Sequence, residues 1–114
     1  MIEIKNQGAQ GDVMFMRVDA VPPAATEEVS REARRLIVTH SETGHHHAID
    51  NPDVRMFREP RDPLICYLAV DGEFADVVHH RPFHTHETIR LPAGTWQVRR
   101  QREYTPEGWR RVED

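Results

Sequence analysis

Apolar residues along this chain come in short clusters, and Pro, Gly, Asn and Asp interrupt them repeatedly. Short runs with frequent breakers predict strands rather than helices. Asp12–Val18 reads as a strand that stops before Pro22-Pro23. Leu36–His40 reads as another, with Ala48-Ile49 closing its partner. Val54–Phe57 is a short strand between the Asn51-Pro52-Asp53 loop and the polar, Pro-bounded segment Glu59–Pro63. Only Thr26–Arg35 has helical character: Thr26 suits an N-cap, and Glu27 and Glu28 suit the first turn of a helix dipole. Its apolar content (Val29, Ala33, Leu36) is thin, so the expected helix is short and peripheral.

The strongest local pattern is Leu64–Val78, where Asp71-Gly72 separates two apolar runs. Asp-Gly is preferred chemistry for a type I′ hairpin turn, which would pair Val70 with Glu73 and Cys66 with Val77. One face then carries Leu64, Cys66, Leu68, Val70, Ala75 and Val77; the other carries Ile65, Tyr67, Ala69, Phe74 and Val78. With both faces apolar, this hairpin is expected at the centre of the fold. Thr88–Leu91, a Pro-Ala-Gly turn and Thr95–Arg99, extending towards Tyr104, supply further strands, with Trp96 and Val98 alternating inward. The pattern predicts an all-β single domain over residues 1–114. A small barrel or sandwich is expected, with about six to eight short strands and at most one short helix.

Composition narrows the function classes. A chain of 114 residues is one domain's worth. A net charge of −4 argues for neither a nucleic-acid nor a membrane partner. No apolar run approaches the roughly 18 residues of a membrane span. The single cysteine, Cys66, lies inside an apolar run, where a small buried core residue is expected; one thiol cannot build a disulfide scaffold. No basic-then-apolar leader opens the sequence, so a reducing cytoplasm is the expected compartment.

The eight histidines fall in two octapeptides, residues 40–47 (HSETGHHH) and 79–86 (HHRPFHTH). In a strand, side chains at i and i+2 share a face. His45 and His47 then point together, as do His84 and His86, and two such pairs on neighbouring strands bring four imidazoles to one ion. Neutral imidazole suits Zn, Cu, Ni and Fe(II). Register stays open: a Thr43-Gly44 turn puts His40, Glu42, His45 and His47 on one face, whereas a Glu42-Thr43-Gly44 loop turns His40 away and sets Ser41 opposite His45. Adjacent pairs such as His79-His80 read as solvated polar residues. A metal-free reading uses the same side chains: protonating eight histidines on a chain of net charge −4 would make a pH-responsive surface. Only a metal site predicts a stoichiometric ion and sensitivity to chelators.

Glu42 and Glu87 flank the clusters. Each is a candidate ligand, a partner orienting an imidazole, or a base acting on metal-bound water; each also fits a surface carboxylate. Asp50 and Asp76 read as turn and strand-surface residues. Towards the end, Arg99-Arg100-Gln101-Arg102-Glu103-Tyr104 and Trp109-Arg110-Arg111 interleave bases with aromatics, as single-stranded nucleic-acid binders do. Acids nearly balance the bases there, so a solvated edge strand is the preferred reading.

Gly11-Asp12-Val13, Glu42-Thr43-Gly44-His45-His46-His47, His86 before Ile89-Arg90-Leu91-Pro92-Ala93-Gly94-Thr95-Trp96, and Val98-Arg99-Arg100-Gln101-Arg102-Glu103-Tyr104 together resemble a group of small bacterial and phage proteins without an assigned function. Ser41 and Trp96 depart from that pattern, where glycine and tyrosine are usual. The resemblance implies that His45, His47 and His86 matter most, and gives less weight to His46, His79 and His80; it implies no reaction. His84-Thr85-His86 with the later Leu91-Pro92-Ala93-Gly94 also resembles the H-x-H strand and glycine turn of cupins, although Arg90-Leu91 stand where the cupin glutamate would.

The leading expectation is a small metal-binding protein holding one transition-metal ion, zinc foremost, through His45, His47, His86 and either His84 or Glu42. Four protein ligands would make the site structural; three with a bound water would permit hydrolysis, with Glu42 as base. A metal-dependent hydrolase or cupin-like oxygenase on the same residues is one alternative. An interaction module using the C-terminal Arg/Tyr/Trp strip is another. A homo-oligomer is compatible with the edges a small β domain must cover.

Overall fold

The computed structural model describes residues 1–29, 31, 35–39, 47–79, 87–100, 102–105 and 108–111, the last two spans by backbone. The described residues form strands β1 (Ile2–Glu3), β2 (Gln7–Gln10), β3 (Val13–Val18), β4 (Thr26–Glu28), β5 (Leu36–Thr39), β6 (His47–Ile49), β7 (Val54–Arg58), β8 (Ile65–His79), β9 (Ile89–Arg100), β10 (Arg102–Thr105) and β11 (Gly108–Arg111). The fold is all-β, as the pattern predicts. The first nine strands belong to one open sheet, and β10 and β11 pair as a separate hairpin. Among the described residues there is no helix, and none long and apolar enough to cross a membrane.

The sheet is one ribbon bent over on itself. β8 and β9 run antiparallel along their length, from Ile65↔Arg99 to Val77↔Ile89. Beyond the bend in one direction, β2, β3, β9, β8, β7 and β4 lie side by side. In the other direction the order is β1, β9, β8, β6 and β5, with β1 parallel to β9. Residues from both halves share one core cluster, including Phe15, Met56, Leu68, Trp96 and Val98 from the first and Leu36, Val38, Ile49, Val77 and Leu91 from the second.

The bend corrects two sequence expectations. Asp71-Gly72 does not reverse the chain: β8 continues through it, and Asp71, Gly72 and Glu73 stand opposite Ala93 alone, between Val70↔Gly94 and Phe74↔Pro92. Pro92-Ala93-Gly94 likewise lies within β9 rather than between two strands. Turn-forming residues serve a bulge as well as a hairpin, because both need a local kink and extra twist. Here the long β8–β9 pairing wins. Gly94 takes φ 137°, which L side chains rarely adopt. The neighbouring loop is stapled to the bulge: Asp71 N–H donates to Asp53 O (3.2 Å), Asp76 N–H to Asn51 Oδ1 (3.3 Å), and Arg55 Nε to Asp71 Oδ2 (3.0 Å).

Across the bend the inward positions change parity in both strands. Cys66, Leu68 and Val70 give way to Ala75, Val77 and His79; Ile89 and Leu91 give way to Trp96 and Val98. The expected face of Cys66, Leu68, Val70, Ala75 and Val77 therefore lies in the core cluster, although the turn proposed to create it is absent; Tyr67 and Ala69 on the opposite face are buried as well.

Thr26–Glu28 is not a helix start. It is an edge strand on β7, with Thr26↔Arg58 and Glu28↔Met56 in register, and Glu28 pairs with Arg58 (2.9 Å). Without an apolar stripe the local helix preference had no packing to support it, and sheet pairing prevailed. The rest of the expected helix falls mostly outside the described residues.

Two side chains close the book-like fold opposite its spine. Arg58 of β7 reaches the other half, donating from Nη2 to Ile37 O (3.0 Å) and from Nη1 to Val38 O (3.2 Å), next to the irregularity between Ile37 and Thr39. Gln10, at the tip of β2, does the same on the other side.

Candidate functional site

The far end of the second half gathers the inner ends of both histidine octapeptides. β5 ends at Thr39 and β6 begins at His47, with Thr39↔His47 in register. β8 ends at His79, directly opposite His47 on the neighbouring strand. Strands β5 and β8 thus end, and β6 begins, at the same end of the sheet. Of the expected site residues, His47 is placed; Glu42, His45, His84 and His86 lie outside the described residues, as do His40, His46 and His80.

His47 and His79 are not solvated. They are 1% and 0% exposed, and their rings stack with centroids 4.1 Å apart and planes 6° from parallel. The burial of His79 corrects the expectation of a solvated pair. The missed signal was alternation: Ala75, Val77 and His79 share a face, and the first two are core residues. Stacking also restricts chemistry. An imidazole's lone pair lies in its ring plane, and two nearly parallel planes at this spacing do not meet at a common ligand distance of roughly 2.0–2.1 Å. In this arrangement one ion can be held by His47 or by His79, not by both.

Gln10 was not anticipated. The Gly11-Asp12 turn, with Gly11 at φ 60°, sets Gln10 opposite Val13 and buries it to 2% exposure. Its Nε2 lies 2.9 Å from Val77 O and 2.9 Å from Glu87 O, and its Oε1 lies 2.7 Å from His47 Nδ1. One carboxamide therefore joins β8, the entry to β9 and β6 across the mouth of the fold. Glu87 contributes here through its main-chain carbonyl, and its residue is exposed, which fits the surface-carboxylate reading.

Nearby, the buried Asp12 carboxylate pairs with Arg100 Nε (2.9 Å), at side-chain exposures of 1% and 11%. Arg100 is thus committed to the interior, which removes it from the solvated Arg strip; Arg99 is exposed. Asp76 is a strand-surface residue, as expected, bound by Arg90 through two hydrogen bonds (2.8 and 3.0 Å). Cys66 is buried, and desolvation pushes its thiol up to about 12, with Arg58 pulling down and Glu28 pushing up more weakly. That rules it out as a ready nucleophile.

Among the described residues, no group of three or more His, Cys, Asp or Glu side chains is arranged to hold a metal. Comparison with curated proteins and with solved structures returns no match. Residues 9–101, spanning every strand from β3 to β9, match the family described as "Domain of unknown function (DUF8820)", and the chain belongs to that family.

Proposed function

We propose that this protein binds one transition-metal ion, zinc foremost, at the histidine end of the folded sheet. His45, His47, His84 and His86 are its ligands, with Glu42 beside the ion. The observation that carries the reading is the cross-strand pairing of His47 with His79. The octapeptides are more than thirty positions apart in sequence, yet their described ends, His47 and His79, stand on adjacent strands at one end of the sheet, which supports a common site. Imidazole donors in a partly dry site favour borderline metals such as zinc over Mg²⁺ or Ca²⁺, which prefer oxygen. The ion would tie the two connections together as Gln10 and Arg58 tie the layers. Four protein ligands make such a site structural, and an open fourth position would let Glu42 act on bound water.

The test is metal analysis of protein purified without a nickel column, combined with thermal melting. About one equivalent of zinc, a melting temperature lowered by EDTA, and recovery on adding zinc but not magnesium are expected. Metal far below one equivalent together with melting indifferent to EDTA and zinc would reject the reading.

A further inference from the structure

The geometry points to Gln10 as the residue that decides which nitrogen of His47 meets the ion: its carboxamide oxygen accepts a hydrogen bond from Nδ1–H and so presents Nε2 as the ligating atom. This rests on the metal-binding reading and adds to it a positioning residue outside both histidine octapeptides.

A carboxamide has two N–H donors on nitrogen and an oxygen that only accepts. Gln10 Nε2 faces two main-chain carbonyl oxygens, Val77 O and Glu87 O, each at 2.9 Å. Those atoms only accept, so the amino group must face them; the reversed amide would press three oxygens together. With both N–H groups used, the carboxamide oxygen is what lies 2.7 Å from His47 Nδ1. An oxygen without hydrogen cannot donate, so Nδ1 must. A neutral imidazole carries one ring N–H, and its lone pair is then on Nε2.

That is the arrangement a ligating histidine uses, with one nitrogen on the metal and the other donating to a fixed acceptor. Gln10 is itself anchored at both N–H groups, so its oxygen holds the ring's azimuth as well as its tautomer. The parallel ring of His79 blocks one face of His47 and limits rotation. His79 then acts as a packing surface for the ligand and not as a second ligand to the same ion.

The experiment uses the full chain labelled with ¹⁵N-histidine and long-range ¹H–¹⁵N correlation, first metal-free and then with ¹¹³Cd as the probe ion. The expected result is a metal-free His47 with hydrogen on Nδ1 and none on Nε2. Cadmium should then couple to Nε2 while Nδ1–H persists. Gln10→Leu should weaken zinc affinity about 10- to 100-fold. The unmutated protein decides the matter by itself if that variant does not fold. Hydrogen on Nε2 in the metal-free protein, or cadmium coupled to Nδ1, overturns the inference. Cadmium bound at other histidines with no coupling to His47 also overturns it and leaves the metal reading standing. No metal bound anywhere removes both, the metal reading failing first.

Discussion

Two glycines meet at the spine of the fold, and replacing each by alanine should have opposite consequences. Gly94 lies at φ 137° in β9, and a Cβ there would come within 2.3 Å of Arg17 Nη1. Arg17 is the clasp over this bend. Its guanidinium lies 4.6 Å from the centre of the Trp96 ring, and it donates to Lys5 O (3.0 Å) and Ala93 O (2.9 Å). Holding a non-glycine residue at such a φ costs on the order of 1–3 kcal/mol. Displacing Arg17 from Trp96 adds about 0.5–1 kcal/mol. Gly94→Ala should therefore cost about 1.5–4 kcal/mol in all. Gly72 is the control: its φ is ordinary, and a Cβ would approach Asp53 Oδ2, the tip of a surface side chain, at 3.2 Å. Gly72→Ala should cost less than about 1 kcal/mol, within the range of surface substitutions. Urea unfolding followed by tryptophan fluorescence measures both. Equal losses for the two variants, or a Gly94→Ala protein as stable as the parent, would refute the placement of the spine and its clasp.

Three other outcomes follow from the interior. Asp12→Ala removes the buried carboxylate that pairs with Arg100 Nε, whose side chain is 11% exposed, and should destabilise the fold by about 3 kcal/mol by equilibrium denaturation. Cys66 should resist iodoacetamide at pH 8 until the protein is unfolded. Its thiol is raised from an ordinary 9.0 to about 12, so its contribution is present below pH 9 and is lost as pH rises towards 12. Relative to Cys66→Ala, the parent should lose up to about 1.4 kcal/mol per pH unit in that window, read by denaturation at successive pH values. His79→Phe keeps a flat ring against His47 and should retain the zinc stoichiometry measured by metal analysis, whereas His47→Ala should lose the ion.

Much of this fold is legible in alternation. Strands β3, β5, β6 and β7 stand where short apolar runs lie between breakers, and Cys66, Trp96 and Val98 are buried as their spacing implies. Asp-Gly and Pro-Ala-Gly are misleading because a local turn preference cannot say whether the chain reverses or merely bends. The answer lies in a pairing between β8 and β9 that is distant from either turn. The short strands β1 and β4 carry no hydrophobic pattern and exist through their partners. At the histidine end, His47 is legible through its cluster, and His79 was legible from Ala75 and Val77. Gln10 was not: nothing about a glutamine near a Gly-Asp turn announces that folding the sheet over will carry it to a histidine 37 positions away.

The most direct test of an ion at His47 is an anomalous-difference map at the zinc edge, from crystals of protein purified without nickel. One peak is expected, about 2.0–2.1 Å from His47 Nε2 and shared with imidazoles of the two octapeptides. A map with no peak near His47, from protein carrying no bound metal, would contradict the metal-binding reading.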